Sequence, residues 1–172
     1  MADLIETERL RLRPFRLDDA VAAYTWLGDP IVMRYTPTRP DSSVQKTRDR
    51  LAGYETHQLR HGFSKWLVVE RASGQPVGDA GLLVLEGEGW IELGFRFERT
   101  FWGRGFATEV GAAWVSAAFG DLGLDELGAF VHPENTASLR VLEKLGFRGE
   151  RRDKVQGMPA IRFTLQRSYW NT

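Results

Sequence analysis

Three observations in this 172-residue chain predict a mixed α+β fold. Several short segments alternate or run apolar with the period of strands. Four longer stretches carry apolar residues at helical spacing. Their order, β-α-α-β-β-β-α-β-α-β-β, holds one β-α-β crossover among hairpins. The expected architecture is a single domain: a mostly antiparallel twisted sheet, α/β only at the crossover, with helices packed around it.

Residues 8–15 (ERLRLRPF) place Leu10 and Leu12 on one side and Arg9, Arg11 and Arg13 on the other, a half-buried strand with a solvated arginine face. Val21, Tyr24 and Leu27 mark a helix over 18–27, stopped by Gly28 and Pro30. Three prolines make 29–41 a loop. Ser42 with Gln45 reads as a capping box, and Val44, Leu51, Tyr54 and Leu59 carry a second helix to Gly62. Residues 66–70 and 77–85 form a hairpin over Ala72–Pro76, and 90–98 is a third strand after the Gly87-Glu88-Gly89 turn. Residues 103–120 are helical, with Phe106, Val110, Ala113, Trp114 and Ala117 on one stripe. A strand over 126–132 and a helix over 135–145 follow, the helix turning Leu139, Leu142 and Leu145 inward. The end reads as a hairpin of 147–155 and 160–170 across the loop 156–159.

Composition bounds the function. Lys and Arg number 23 against 23 Asp and Glu, a balance that argues against a nucleic-acid partner. There is no cysteine, which removes disulfides, thiol nucleophiles and thiolate zinc sites and agrees with a cytoplasmic location. The N-terminus lacks the apolar core of a signal peptide, and no stretch approaches the ~20 apolar residues of a membrane span. The 18 glycines, about a tenth of the chain against ~7% on average, direct attention to where they fall.

Two segments carry the chemistry. In Trp102-Gly103-Arg104-Gly105-Phe106-Ala107-Thr108, two glycines stand between a strand and a long helix. Their missing Cβ atoms admit a ligand to the backbone, and the first-turn amides face it with the positive end of the helix dipole behind them. Arg104 and the Thr108 hydroxyl are further phosphate contacts. The absence of Lys excludes a P-loop, and Thr108 at the third position of G-x-G-x-x-G weakens a dinucleotide site. On these residues alone, a phosphate cradle and a tight turn into a helix fit equally well. The second segment, His132-Pro133-Glu134-Asn135-Thr136-Ala137-Ser138 through Phe147, has Asn135 as a helix N-cap and Gly146 as a stop. Capping leaves Ser138 unexplained.

Together, ELGFRF…WGRGFATE followed by HPENTASLRVLEKLGF resembles the GNAT N-acetyltransferases, in particular the branch of ribosomal-protein N-terminal acetyltransferases of RimJ/RimL type. ETERLRLRPF fits the same branch, so the resemblance spans nearly the whole chain. The family pattern Gln/Arg-x-x-Gly-x-Gly/Ala is broken at its first position by Thr100, with Arg99 beside it. The resemblance implies acetyl-CoA as co-substrate, lying where strands 90–98 and 126–132 part. Its pyrophosphate would rest on the amides of Gly103, Arg104, Gly105, Phe106, Ala107 and Thr108. Its pantetheine arm would pair with the backbone of Phe95, Arg96 and Phe97, and Asn135 would hold the arm's other side.

Acetyl transfer to an amine needs a base, an oxyanion donor and a proton for the departing thiolate. The amide of Phe95 or Arg96 is the expected donor. Ser138 is the expected acid, or else orients the thiol. Glu92 is the expected base, its alternative being a solvated strand charge. Glu86 and Glu88 attract a cationic amine or are simply exposed, and Trp26 and Tyr35 line an acceptor pocket with loop 29–41. His57 and His61 have the i, i+4 spacing of zinc ligands but lack the Glu of H-E-x-x-H and a third ligand, so no metal is expected. His132 is read as part of a strand exit. The partners are acetyl-CoA and an amine acceptor, in a monomer or homodimer. A non-catalytic acyl-CoA sensor and an enzyme using another acyl-CoA are the competing readings.

Overall fold

The computed structural model describes residues 3–87 and 89–170. Eight strands form one sheet: β1 (Ile5–Glu6), β2 (Leu10–Pro14), β3 (Lys65–Glu70), β4 (Pro76–Leu85), β5 (Trp90–Phe97), β6 (Glu126–Val131), β7 (Arg148–Val155) and β8 (Met158–Gln166). Their order is β1-β2-β3-β4-β5-β6-β8-β7. Every pairing is antiparallel except β5 with β6, which lie parallel across the crossover. The predicted α+β class and element order are observed, with β1 as an added edge. Among the described residues no helix is long and apolar enough to cross a membrane.

Alternation on β3 sorts the two cores. Trp66 and Val68 point into the larger one, where the Trp66 ring meets Trp114 of α3 (Phe106–Phe119) edge-on at 5.0 Å. Leu67 points the opposite way, into a smaller core under α1 (Ala20–Leu27) and α2 (Val44–His61). Helix α3 and the α1–α2 pair thus occupy opposite faces of the sheet.

Several local expectations are corrected. On α1 the buried stripe is Ala20, Ala23, Trp26 and Leu27, leaving Val21 exposed, because a short 3-10 turn over Leu17–Asp19 sets the phase of the helix. Ser43, extended, caps α2 by accepting the Lys46 amide, so the box at Ser42 does not form. Leu59 is 89% exposed because α2 buries only Thr47 and Leu51. The arginine face of β2 is ion-paired: Arg9 with Glu109, Arg11 with Glu6 and Arg13 with Asp19, each within 2.8 Å. The final hairpin turns on Gln156 and Gly157 alone, both with positive φ, so β8 begins at Met158. Helix α3 starts at Phe106, since Gly103 and Gly105 are left-handed.

Candidate active site

β5 and β6 touch in register at one position, Glu92 opposite Gly128, and are unpaired beyond it. On their C-terminal side the strands part, and the helix following each one, α3 after β5 and α4 (Thr136–Lys144) after β6, begins at the gap. Ligands of sheets with parallel neighbours bind at such carboxyl ends. The Glu98 amide donates to Val77 on β4. By alternation, Arg96 also directs its backbone to β4, whereas Phe95 and Phe97 direct theirs to the open side. The Phe97 carbonyl accepts the Trp102 indole N–H at 2.8 Å, leaving the polar groups of Phe95 and the Phe97 amide free. Arg96, expected on this edge, therefore belongs to β4 through its backbone and to a polar cluster through its side chain.

At the head of α3, the amides of Gly103, Arg104, Gly105, Phe106, Ala107 and Thr108 have no acceptor among the described residues, and Glu109 makes the first helical bond, to Gly105. Gly103 (φ 73°) and Gly105 (φ 78°) hold the turn in a conformation costly to any other residue. These six unsatisfied donors and the helix dipole form a ready anion cradle. Arg104 does not turn its charge to it. Its guanidinium is 2.5 Å from Glu70 and lies over the Phe106 ring, while its carbonyl accepts from Arg9. The cradle is built of dipoles, not cations.

Across the gap, Asn135 caps α4, its Oδ1 accepting the Ser138 amide at 3.3 Å and its Nδ2 remaining free. Ser138 is partly buried, and its hydroxyl has no partner among the described residues. Loop 29–41 is moored to both sides of the opening. Asp29 pairs with Arg99 after β5 at 2.6 Å, and the Tyr35 ring lies 4.9 Å from His132 after β6. Tyr35 thus lies at the opening, beside His132. Trp26 does not: it is buried, and its indole N–H donates to Asp79 at 2.7 Å.

A buried polar cluster occupies the α1–α2 face of β3, β4 and β5. Arg96 grips Asp79 through Nε and Nη2 at 3.0–3.2 Å and donates to the Tyr54 hydroxyl at 2.7 Å. Burial disfavours the Arg96 charge, but Asp79 and Tyr54 outweigh it and hold the pKa above its ordinary value. Glu92 lies on the same face, two residues from Gly94. Burial pushes its carboxyl above the usual range, opposed by Lys65, Arg96 and the Phe130 amide. Lys65 is 6% exposed, and burial lowers its pKa to about 8. Sequence reasoning missed Lys65, Asp79 and Tyr54; the available signal was an acid inside an apolar strand, with Gly81 two residues on in the same strand and Gly94 in the next.

The remaining candidates lie elsewhere. His57 contacts the Phe63 carbonyl through Nδ1 (2.8 Å) and accepts the Val84 amide on Nε2 (3.0 Å), so both ring nitrogens are taken and the residue ties α2 to β4. Burial and the neighbouring His61 push its pKa down. Glu86 is exposed, 3.8 Å from Arg60. Glu88 lies outside the described residues.

A sheet that splits beside a run of free helix-head amides is a fold built to hold an anionic ligand at the parting of two strands. The chain belongs to the GNAT acetyltransferase family, whose domain it matches over residues 9–148. It is 30% identical over 149 residues to the uncharacterized N-acetyltransferase p20 of Bacillus licheniformis, covering 86% of this chain and 84% of that protein. A GNAT-family acetyltransferase from Bacillus anthracis superposes with TM-score 0.83 at 25% identity, covering 95% of this chain and 98% of that one. RimJ of Mycobacterium smegmatis, solved in complex with CoA-disulfide, superposes with TM-score 0.79 at 23% identity over 92% of this chain and 82% of its own.

Proposed function

We propose that this chain transfers the acetyl group of acetyl-CoA to a primary amine by direct attack. The observation that carries the reading is the run of six unsatisfied amides from Gly103 to Thr108 beside the single-bridge parting of β5 and β6. The cradle matches a pyrophosphate, and the free edge at Phe95 and Phe97 matches an extended amide-bearing arm laid like a strand. The CoA compound in the RimJ complex agrees with that ligand class.

In this reading Glu92 takes the proton of the acceptor ammonium, directly or through water. The amine attacks the thioester carbonyl, and the Phe95 amide stabilises the resulting oxyanion. The carbon–sulfur bond breaks, and the proton left on the attacking nitrogen ends on the departing thiolate, with the Ser138 hydroxyl donating its own proton and taking that one in exchange, or only orienting the thiolate. Asn135 Nδ2 holds the arm from the α4 side. Loop 29–41, moored at Asp29 and Tyr35, frames the acceptor.

A thiol-release assay across protein N-terminal peptides, polyamines, amino acids and amino sugars tests the activity. Acetyl-CoA binding without turnover on any of them would sink the enzyme reading in favour of a sensor. Ser138→Ala is expected to slow kcat about tenfold if the hydroxyl only orients the thiolate and ~10²-fold or more if it is the general acid; a wild-type rate removes Ser138 from the chemistry. Gly105→Ala forces a Cβ into a left-handed position and brings it 3.4 Å from Arg9. We expect acetyl-CoA affinity to fall about tenfold, the equivalent of ~1.4 kcal/mol, measured by calorimetry. Unchanged affinity would place the pyrophosphate elsewhere.

A further inference from the structure

The Glu92 carboxylate and the Lys65 ammonium share a feature that no other pair in the polar cluster has. Neither forms a hydrogen bond to a side chain among the described residues, although Lys65 is buried. Lys65 sits in register with Gly81 on β4, and Gly81 with Gly94 on β5, so the three positions lie abreast across the sheet. The two glycines leave a trough on the α1–α2 face. The Lys65 side chain runs along it, and a Cβ at Gly94 would overlap its ammonium. That places Nζ beside β5 at the residue between Glu92 and Arg96.

The other ionisable groups around Glu92 are engaged. Asp79 and Tyr54 are held by Arg96. His57 is held by Phe63 and Val84. On the β6–β8 side, Glu126 accepts from Trp90 and Gln166, and Arg162 stacks on the Trp90 ring at 3.9 Å near Glu150. Lys65 and Arg96 both act on Glu92, and Asp79 acts on Lys65 as well, but Arg96 is fixed by hydrogen bonds to Asp79 and Tyr54, so Lys65 is the cation free to follow Glu92.

We propose that Lys65, carried through the Gly81–Gly94 trough, is the counter-ion and positioning residue of Glu92. It does not touch the reacting atoms. It holds the carboxylate ionised and aimed at the parting of β5 and β6, so that the base is ready when an ammonium arrives. The proposal rests on Glu92 being the base. A partly desolvated carboxylate without a neighbouring cation would be protonated over more of the working pH range.

The experiment compares pH profiles of kcat/KM for the wild type, Lys65→Met, Gly94→Ala and Glu92→Gln, with acetyl-CoA affinity and Tm measured alongside. Lys65→Met keeps the length of the side chain and removes its charge. We expect its acidic limb to move up by about one pH unit or more, with acetyl-CoA affinity unchanged. Gly94→Ala displaces only the flexible end of Lys65 and should move the limb the same way by less. A merely structural lysine would lower Tm and leave the limb in place, which overturns the proposal. If Glu92→Gln is inactive while the limb of Lys65→Met stays put, the base stands and the counter-ion falls. An active Glu92→Gln removes both.

Discussion

Glu92→Gln is expected to lower kcat by about 10²–10⁴-fold, the usual contribution of a positioned general base, with acetyl-CoA affinity intact. The amide is isosteric and its oxygen can still accept the Phe130 amide, so the fold should not change. The wild-type enzyme carries a second signature. Burial raises the Glu92 pKa, so the acidic limb of kcat/KM should lie above the ordinary glutamate range near 4.3. Below that limb the carboxyl holds its proton and cannot take another; above it, activity is present. Steady-state rates from about pH 4 to 9 would show both effects, and a near-wild-type rate for the glutamine variant would assign the base elsewhere.

The second large effect concerns stability. Asp79→Ala should destabilise the fold by about 3–5 kcal/mol, as breaking one partner of a buried ion pair does. Asp79 is fully buried and serves three donors: two nitrogens of Arg96 and the indole of Trp26. Its removal strands a buried guanidinium and a buried indole N–H together. At roughly 2–4 °C per kcal/mol for a chain of this size, the melting temperature should fall by about 10 °C. Asp79→Asn, which still accepts from Trp26, should lose less. A shift of only a degree or two in the alanine variant would show that the cluster does not hold α1 to the sheet.

The parts legible in the sequence were those governed by local rules. The crossover, the stop at Gly28, the cap at Asn135 and the glycine turn before α3 all depend on residues adjacent in the chain. The amide cradle was legible for that reason, since Gly103 and Gly105 are their own signal. Arg104 was misread because its partner, Glu70, lies 34 positions away on β3, and no local pattern reveals such a pair. Arg96 was misread for a geometric reason. Assigning three consecutive backbone groups to one ligand ignores the alternation that sends the middle one to β4. Lys65 was invisible because its environment comes from two glycines on two other strands. The phase of α1 was set by the 3-10 turn ahead of it, which helical spacing cannot report.

Strand β5 belongs to both halves of the site. Its edge at Phe95 and Phe97 faces the gap, while the Glu92 and Arg96 side chains, with bare Gly94 between them, face the polar cluster. Because a strand repeats every two residues, inserting or deleting one residue here would exchange the two roles at once. The loop over 29–41 and the turn at Gln156 and Gly157 carry no such double assignment. Length variation among descendants of this sequence should therefore accumulate in those connections. The eight residues from Trp90 to Phe97 should keep their count even as their identities change.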